Sequence, residues 1–128
     1  MFKPAHELVL EARNSVTECS PDALHGLLTT PHTLLIDVRE PDEYRQGHIA
    51  GAVNIPRGML EFRISAEPTL QDVARPVIVY CKTSGRAALS VVALQRMGFT
   101  NLTSLAGGFD AWVAGGHPVA KPREISFE

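Results

Sequence analysis

The 128-residue sequence has no block of basic residues, and its formal net charge is −2. Attachment to nucleic acid needs clustered lysine and arginine to neutralise phosphates, so nucleic acid is not expected as a partner. No apolar run approaches the roughly 20 residues of a membrane-spanning helix. The N-terminal stretch MFKPAHELVLEARNS is interrupted by His6, Glu7, Glu11 and Arg13, and so lacks the apolar core of a signal peptide. A soluble, cytoplasmic protein without membrane contact is the expectation. Cysteine is scarce, with only Cys19 and Cys81. One disulfide is conceivable, but a reducing compartment favours two free thiols, and a chemical role for one of them is the better reading. The histidines are scattered and none has metal-ligand spacing with a cysteine, so neither zinc nor another cofactor is expected. Internal repeats, low-complexity segments and Gly/Ser-rich linkers are absent too. One domain is the simplest reading, and a chain of this length buries roughly 65–70 % of its unfolded surface.

What is present is ordinary for a globular protein: 45 % hydrophobic and 20 % charged residues. Leu8, Val9, Ala12 and Val16 recur at helical spacing, which predicts an amphipathic helix over 5–14, read as an N-terminal extension (1–14) to a main domain (15–128). A short strand is expected over 16–19. Ser20-Pro21-Asp22 combines an N-cap, a first-turn proline and a first-turn acid, so a helix should run from there to about Leu28. TLLIDV (33–38) and PVIVY (76–80) are continuous apolar runs of strand length, as in a sheet covered on both faces, and Leu102–Leu105 is a third strand candidate. Pro41 can open a one-turn helix closed by Gly47, with a very short strand over Ala52–Ile55. RGMLEFRI (57–64) reads as helical, with Met59, Leu60, Phe62 and Ile64 available for a buried side. SGRAALSVVALQRMG is a helix ending at Gly98, and Gly107-Gly108 opens a last one through Trp112. Short strands alternating with helices predict an α/β fold, a parallel sheet with helices on both faces.

In such a sheet ligands bind beyond the carboxyl ends of the strands. Cys81 stands at one of those ends, directly after PVIVY, and the next helix begins about four residues later. A loop this tight turns consecutive backbone N–H groups inward and makes an anion-binding concavity, to which the helix N-terminus adds partial positive charge. Gly85 relaxes the backbone, Ser84 or Thr83 can cap the helix, and Lys82 and Arg86 bring full positive charges. Each of these features favours thiolate over thiol at Cys81. A small buried core cysteine would need none of them. Asp37 and Arg39 end a strand beside this corner; an ion pair or loop tie is the plainer role for them than a chemical one. For His48, a side chain to backbone hydrogen bond is the plainer explanation, and Trp112 with Phe109 reads as core. Cys19 has only a weak claim as a second functional thiol.

Three separated pieces, LLIDVREPDEYRQGHIAGAVNIP (34–56), VIVYCKTSGRAALSVVAL (77–94) and LAGGFDAWVAGGHPV (105–119), together resemble the single-domain rhodaneses, a family of sulfurtransferases. The resemblance covers nearly the whole chain from Val16 to Val119. It implies a five-stranded parallel sheet flanked by helices. It also implies an enzyme of the thiosulfate:cyanide sulfurtransferase type, in which the loop cysteine carries sulfur as a persulfide. By position, Cys81 matches the nucleophile, and Lys82, Thr83, Ser84, Gly85 and Arg86 match the substrate-binding loop. One common form of that loop has glycine in its fourth place, where this chain has Ser84, with Gly85 following.

The implied substrates are a small sulfur-containing anion such as thiosulfate and a thiol or cyanide acceptor, or a sulfur-relay protein. A second reading makes the chain a carrier that receives its persulfide from a partner protein. A non-catalytic interaction module is a third, against which Cys81 itself stands, since such versions typically lack the loop cysteine. A phosphatase or arsenate reductase is the fourth. It is disfavoured because four residues separate Cys81 from Arg86, where the phosphatase-like loops have C-x5-R. It would also want a general acid for the leaving oxygen, and nothing local in the sequence puts Asp37 or Asp110 in that place.

Overall fold

The computed structural model describes residues 1–122. The helices are α1 (Ala5–Arg13), α2 (Pro21–Leu27), α3 (Pro41–Gln46), α4 (Leu60–Ala66), α5 (Gly85–Arg96) and α6 (Gly108–Ala114). The strands are β1 (Glu18–Cys19), β2 (Leu34–Asp37), β3 (Val53–Asn54), β4 (Val77–Tyr80) and β5 (Leu102–Leu105). They form one parallel sheet in the order β1-β5-β4-β2-β3.

The continuous apolar runs are explained by burial on both faces. Alternate residues of β2 and β4 point opposite ways. Leu34, Ile36, Val77 and Val79 pack with Leu60, Ile64, Ala87, Val91 and Leu94 of α4 and α5, and Cys81 belongs to this side. Leu35, Ile78 and Tyr80 pack with Leu24 of α2, Leu105 and Trp112 of α6 on the other. Ser20 caps α2 as its sequence implies, its hydroxyl accepting the Ala23 N–H at 3.1 Å.

Several local expectations are corrected. Residues 57–59 form a 3₁₀ turn closed by the Met59 N–H on the Pro56 carbonyl, and the α-helix proper begins at Leu60. Leu60 and Ile64 are buried, but Met59 and Phe62 are exposed. Leu60 and Ile64 are four residues apart and share one helix face, whereas Phe62 lies roughly 200° around the axis from Leu60. The first strand is shorter than predicted, and Val16 packs against the core from outside it. In α1 only Ala12 is fully buried, and Leu8 and Leu10 stay exposed. That helix lies on α5, and the Gln95 side chain donates to the Ser15 carbonyl just beyond it.

The strand order places a crevice. After β2 the chain moves outward to β3, and after β4 it moves the opposite way to β5. β2 and β4 are neighbours, with Asp37 opposite Tyr80. The connections leaving them diverge to opposite faces, opening a gap at their carboxyl ends. Val38, Arg39, Cys81 and Lys82 are the residues that emerge there. Among the described residues no helix is long and apolar enough to cross a membrane.

Candidate active site

Cys81 is 1 % exposed, and its sulfur accepts the Ala87 N–H at 3.4 Å. The first i→i−4 bond at this end of α5 runs from Ala88 N–H to Ser84 O, so Ala87 N–H is one of the helix-start donors without an intrahelical partner. The helix start therefore meets the thiol directly. Ser84 occupies the N-cap position, but its side chain makes no capping bond, which corrects that expectation. The capping oxygen is not needed, because the sulfur takes the donor that a cap would take. Gly85 is corrected as well: it is the first residue of α5 and not among the glycines of positive φ. A Cβ there would stand 3.4 Å from Val9 of α1, an ordinary contact.

The glycines that shape the loop are Gly107 and Gly108, at φ 71° and 61°. Both lie in the left-handed region that glycine enters without steric cost. They let the start of α6 press against the loop, where Phe109 N–H donates to Cys81 O at 2.8 Å and Asp110 N–H to Lys82 O at 3.0 Å. A Cβ on Gly108 would run into the Thr83 carbonyl oxygen and stand 2.6 Å and 2.7 Å from those of Cys81 and Lys82. Three successive carbonyls thus face α6. Across a trans peptide the following N–H points the opposite way, so the N–H groups of Lys82, Thr83 and Ser84 are directed away from α6. They have no hydrogen-bond acceptor among the described residues.

Both charges of the loop are paired, which nothing in the sequence indicates. Arg86 forms a forked pair with Glu43 of α3, at 2.8 and 3.1 Å. Glu43 also accepts the Glu40 N–H at 3.0 Å. Hydrogen bonds from Arg86 hold the Glu43 carboxyl down from its ordinary value of 4.5 to about 2, against the opposing effect of burial. Lys82 Nζ pairs with Asp110 Oδ2 at 2.8 Å. Nothing local in the sequence marks Glu43 or Asp110 as partners, since they lie 43 and 28 residues from the cations they meet.

Asp37 and Arg39 form a buried fork, with Arg39 Nη2 2.7 Å from Asp37 Oδ2 and Nε 3.0 Å from Oδ1. Arg39 Nη2 also donates to Gly47 O at 2.7 Å, and its guanidinium lies 4.3 Å from the centre of the Phe109 ring. Asn54 ties both backbones, donating to Asp37 O at 3.0 Å and Arg39 O at 2.9 Å. The pair is a loop tie that fixes the floor beside the cysteine. Tyr80, the last residue of β4, also reaches across to the loop before β3. Its hydroxyl accepts the Ile49 N–H at 3.1 Å, and burial beside Asp37 raises its pKa and keeps it neutral. His48 Nδ1 lies 3.0 Å from the Tyr44 carbonyl, the backbone contact anticipated for it.

Both cysteines are free. Cys19 is on β1, separated from β4 by β5, so the backbones at the two cysteines stand about two strand spacings, or ~9.6 Å, apart. That exceeds the roughly 7 Å Cα separation a disulfide tolerates. Burial pushes the Cys19 thiol pKa up, which works against thiolate. A groove of about 400 Å³ runs alongside the loop, walled by Phe109, Val113, Val119 and Gly47 and rimmed by Lys82 and Asp110.

Comparison with known proteins agrees with this geometry. The family model of the rhodanese-like domain matches residues 20–115. A protein of Allochromatium vinosum named sulfurtransferase is 32 % identical over 108 residues, covering 84 % of this chain and 97 % of that one. Among solved structures, the polysulfide-sulfur transferase homodimer of Wolinella succinogenes superposes with a TM-score of 0.76 at 33 % identity, covering 91 % of this chain and 86 % of that one. A Rhodopseudomonas palustris protein of unknown function, described as a possible tyrosine phosphatase, superposes with a TM-score of 0.85 at 29 % identity, covering 94 % and 96 %. The chain belongs to the rhodanese-like family.

Proposed function

We propose that this protein is a sulfurtransferase in which Cys81 carries sulfane sulfur as a persulfide. The observation that supports this most is the set of unpartnered N–H groups of Lys82, Thr83 and Ser84, together with the Ala87 N–H on the sulfur. These are preorganised donors around a buried sulfur, suited to a soft anion bonded to Cys81. In the first half-reaction the Cys81 thiolate attacks the outer sulfur of thiosulfate. A new S–S bond forms, the old one breaks, and its electron pair leaves with sulfite. In the second, cyanide or a thiolate attacks the terminal sulfur, departs as thiocyanate or a persulfide, and restores the thiolate. Sulfite needs no general acid to leave. A tetrahedral phosphoryl group would find a short C-x4-R ring, and the arginine that should clasp it is already forked onto Glu43.

A second reading, a carrier charged by a partner protein, is favoured by one observation. Lys82 and Arg86 are each paired with a carboxylate, so the loop mouth has little net charge with which to draw in a small dianion.

The test is the intact mass of the purified protein after thiosulfate and then after cyanide, with Cys81→Ser alongside. A gain of one sulfur atom that cyanide removes, absent from the variant, is expected. Turnover retained by Cys81→Ser would sink the mechanism, and no gain from thiosulfate in the folded wild type would shift the donor to a protein.

A further inference from the structure

Three cations surround the mouth of the loop, and each has its own carboxylate: Arg39 with Asp37, Arg86 with Glu43, Lys82 with Asp110. The pairs differ in exposure. Arg39 and Asp37 are sealed at 5 % and 0 %, and Arg86 and Glu43 are about one-third open at 38 % and 31 %. Lys82 and Asp110 are more than half open, at 60 % and 51 %. This last pair is the most open of the three, and it lines the groove beside the loop together with Arg39 and Glu43.

The placement of Asp110 is fixed from its own backbone. Its N–H donates to Lys82 O at 3.0 Å, while its carboxylate reaches Lys82 Nζ at 2.8 Å. One residue therefore braces the loop through its main chain and cancels the nearest exposed cation through its side chain. The acid also lies in the first turn of α6, where negative charge favours a helix. A helix-stabilising role would leave substrate kinetics untouched, so the two roles are separable.

We propose that Asp110 is a specificity-determining residue, one that discriminates against multiply charged sulfur donors in favour of donors carrying little charge at the loop, such as an organic or protein persulfide. The inference rests on the sulfurtransferase reading above. A dianion approaching Cys81 meets the Asp110 carboxylate as well as Lys82, and it either tolerates the repulsion or separates the pair. A monoanion meets half that repulsion. For a ligand charge held about 6 Å from a carboxylate in water at physiological salt, removing that carboxylate strengthens dianion binding about threefold and monoanion binding less than about twofold.

The experiment measures kcat and KM for thiosulfate, a dianion, and for an alkanethiosulfonate, a monoanion that also bears sulfane sulfur. It compares the wild type with Asp110→Asn, which keeps the backbone N–H and the side-chain shape. KM for thiosulfate is expected to fall about threefold with kcat within twofold, the fall for the monoanion to be smaller, and both to shrink in ~1 M salt as the Debye length drops to about 3 Å. Lys82→Gln should shift KM for thiosulfate the other way, which keeps the test open if Asp110→Asn folds poorly. An unchanged KM, or equal changes for the two donors at all salt concentrations, overturns the role of Asp110 while active wild type leaves the sulfurtransferase reading standing. Wild type that takes sulfur from neither small donor overturns the role of Asp110 in choosing between them and shifts the donor to a protein.

Discussion

Replacing Gly108 by alanine tests how the loop is held. The backbone there is at φ 61°, where an L-residue with a side chain costs roughly 1–2 kcal/mol. The new Cβ would collide with the Thr83 carbonyl oxygen and stand 2.6 Å from that of Cys81, so α6 or the loop must move. Movement breaks the bonds from Phe109 N–H to Cys81 O and from Asp110 N–H to Lys82 O, each worth about 1 kcal/mol net. The sum is about 3–4 kcal/mol, a large share of the roughly 5–15 kcal/mol available to a domain. Gly116→Ala is the matched control: Gly116 is also left-handed, at φ 78°, but a Cβ there meets nothing within 4 Å. That variant should lose only the backbone part. Urea unfolding followed by circular dichroism gives the stabilities, and intact mass against time gives the rate of sulfur uptake by the folded protein. Gly108→Ala should lose at least about 2 kcal/mol more than Gly116→Ala and take up sulfur more than tenfold more slowly. Equal losses of stability in the two variants, or an unchanged uptake rate in Gly108→Ala, would refute the claim that α6 orients the loop.

Two further outcomes concern the paired carboxylates Glu43 and Asp37. The Glu43 carboxyl is lowered from 4.5 to about 2 in the folded protein, so its contribution to stability is present above about 4.5 and is lost as pH falls toward about 2. Glu43→Gln should therefore flatten the dependence of unfolding free energy on pH across that window, and an unaltered slope would show that the pair with Arg86 contributes nothing there. Asp37→Asn leaves Arg39 buried beside a neutral amide, and breaking a buried pair costs roughly 3–5 kcal/mol. A midpoint of denaturation like that of the wild type would mean that Gly47 O and the Phe109 ring suffice to hold the guanidinium.

The layers of the fold were legible because their signals are local. VIVY is apolar at every position, and LLI is too before Asp37, because both faces of the sheet are covered, and that pattern is written within four residues of each strand. Ser20-Pro21-Asp22 marks a helix start within three residues, and the CKTSGR segment marks a strand-to-helix corner within six. Where local signals are ambiguous, the sequence does not decide burial. Met59 and Phe62 are as apolar as Leu60 and Ile64, and only the direction from which α4 approaches the sheet decides which pair is buried.

The sequence by itself thus determined the parallel sheet covered on both faces and the position of Cys81 at a strand end. The tertiary structure alone decided the electrostatic state of that corner. Lys82 and Arg86 look like free cations in the chain, yet Asp110 reaches one from α6 and Glu43 the other from α3. It also decided that Gly107 and Gly108, not Gly85, supply the unusual backbone that turns the loop carbonyls toward α6. The reason is range. Periodicity and capping depend on neighbours a few residues away, whereas charge pairing and loop bracing depend on which elements the crossovers of the sheet bring side by side.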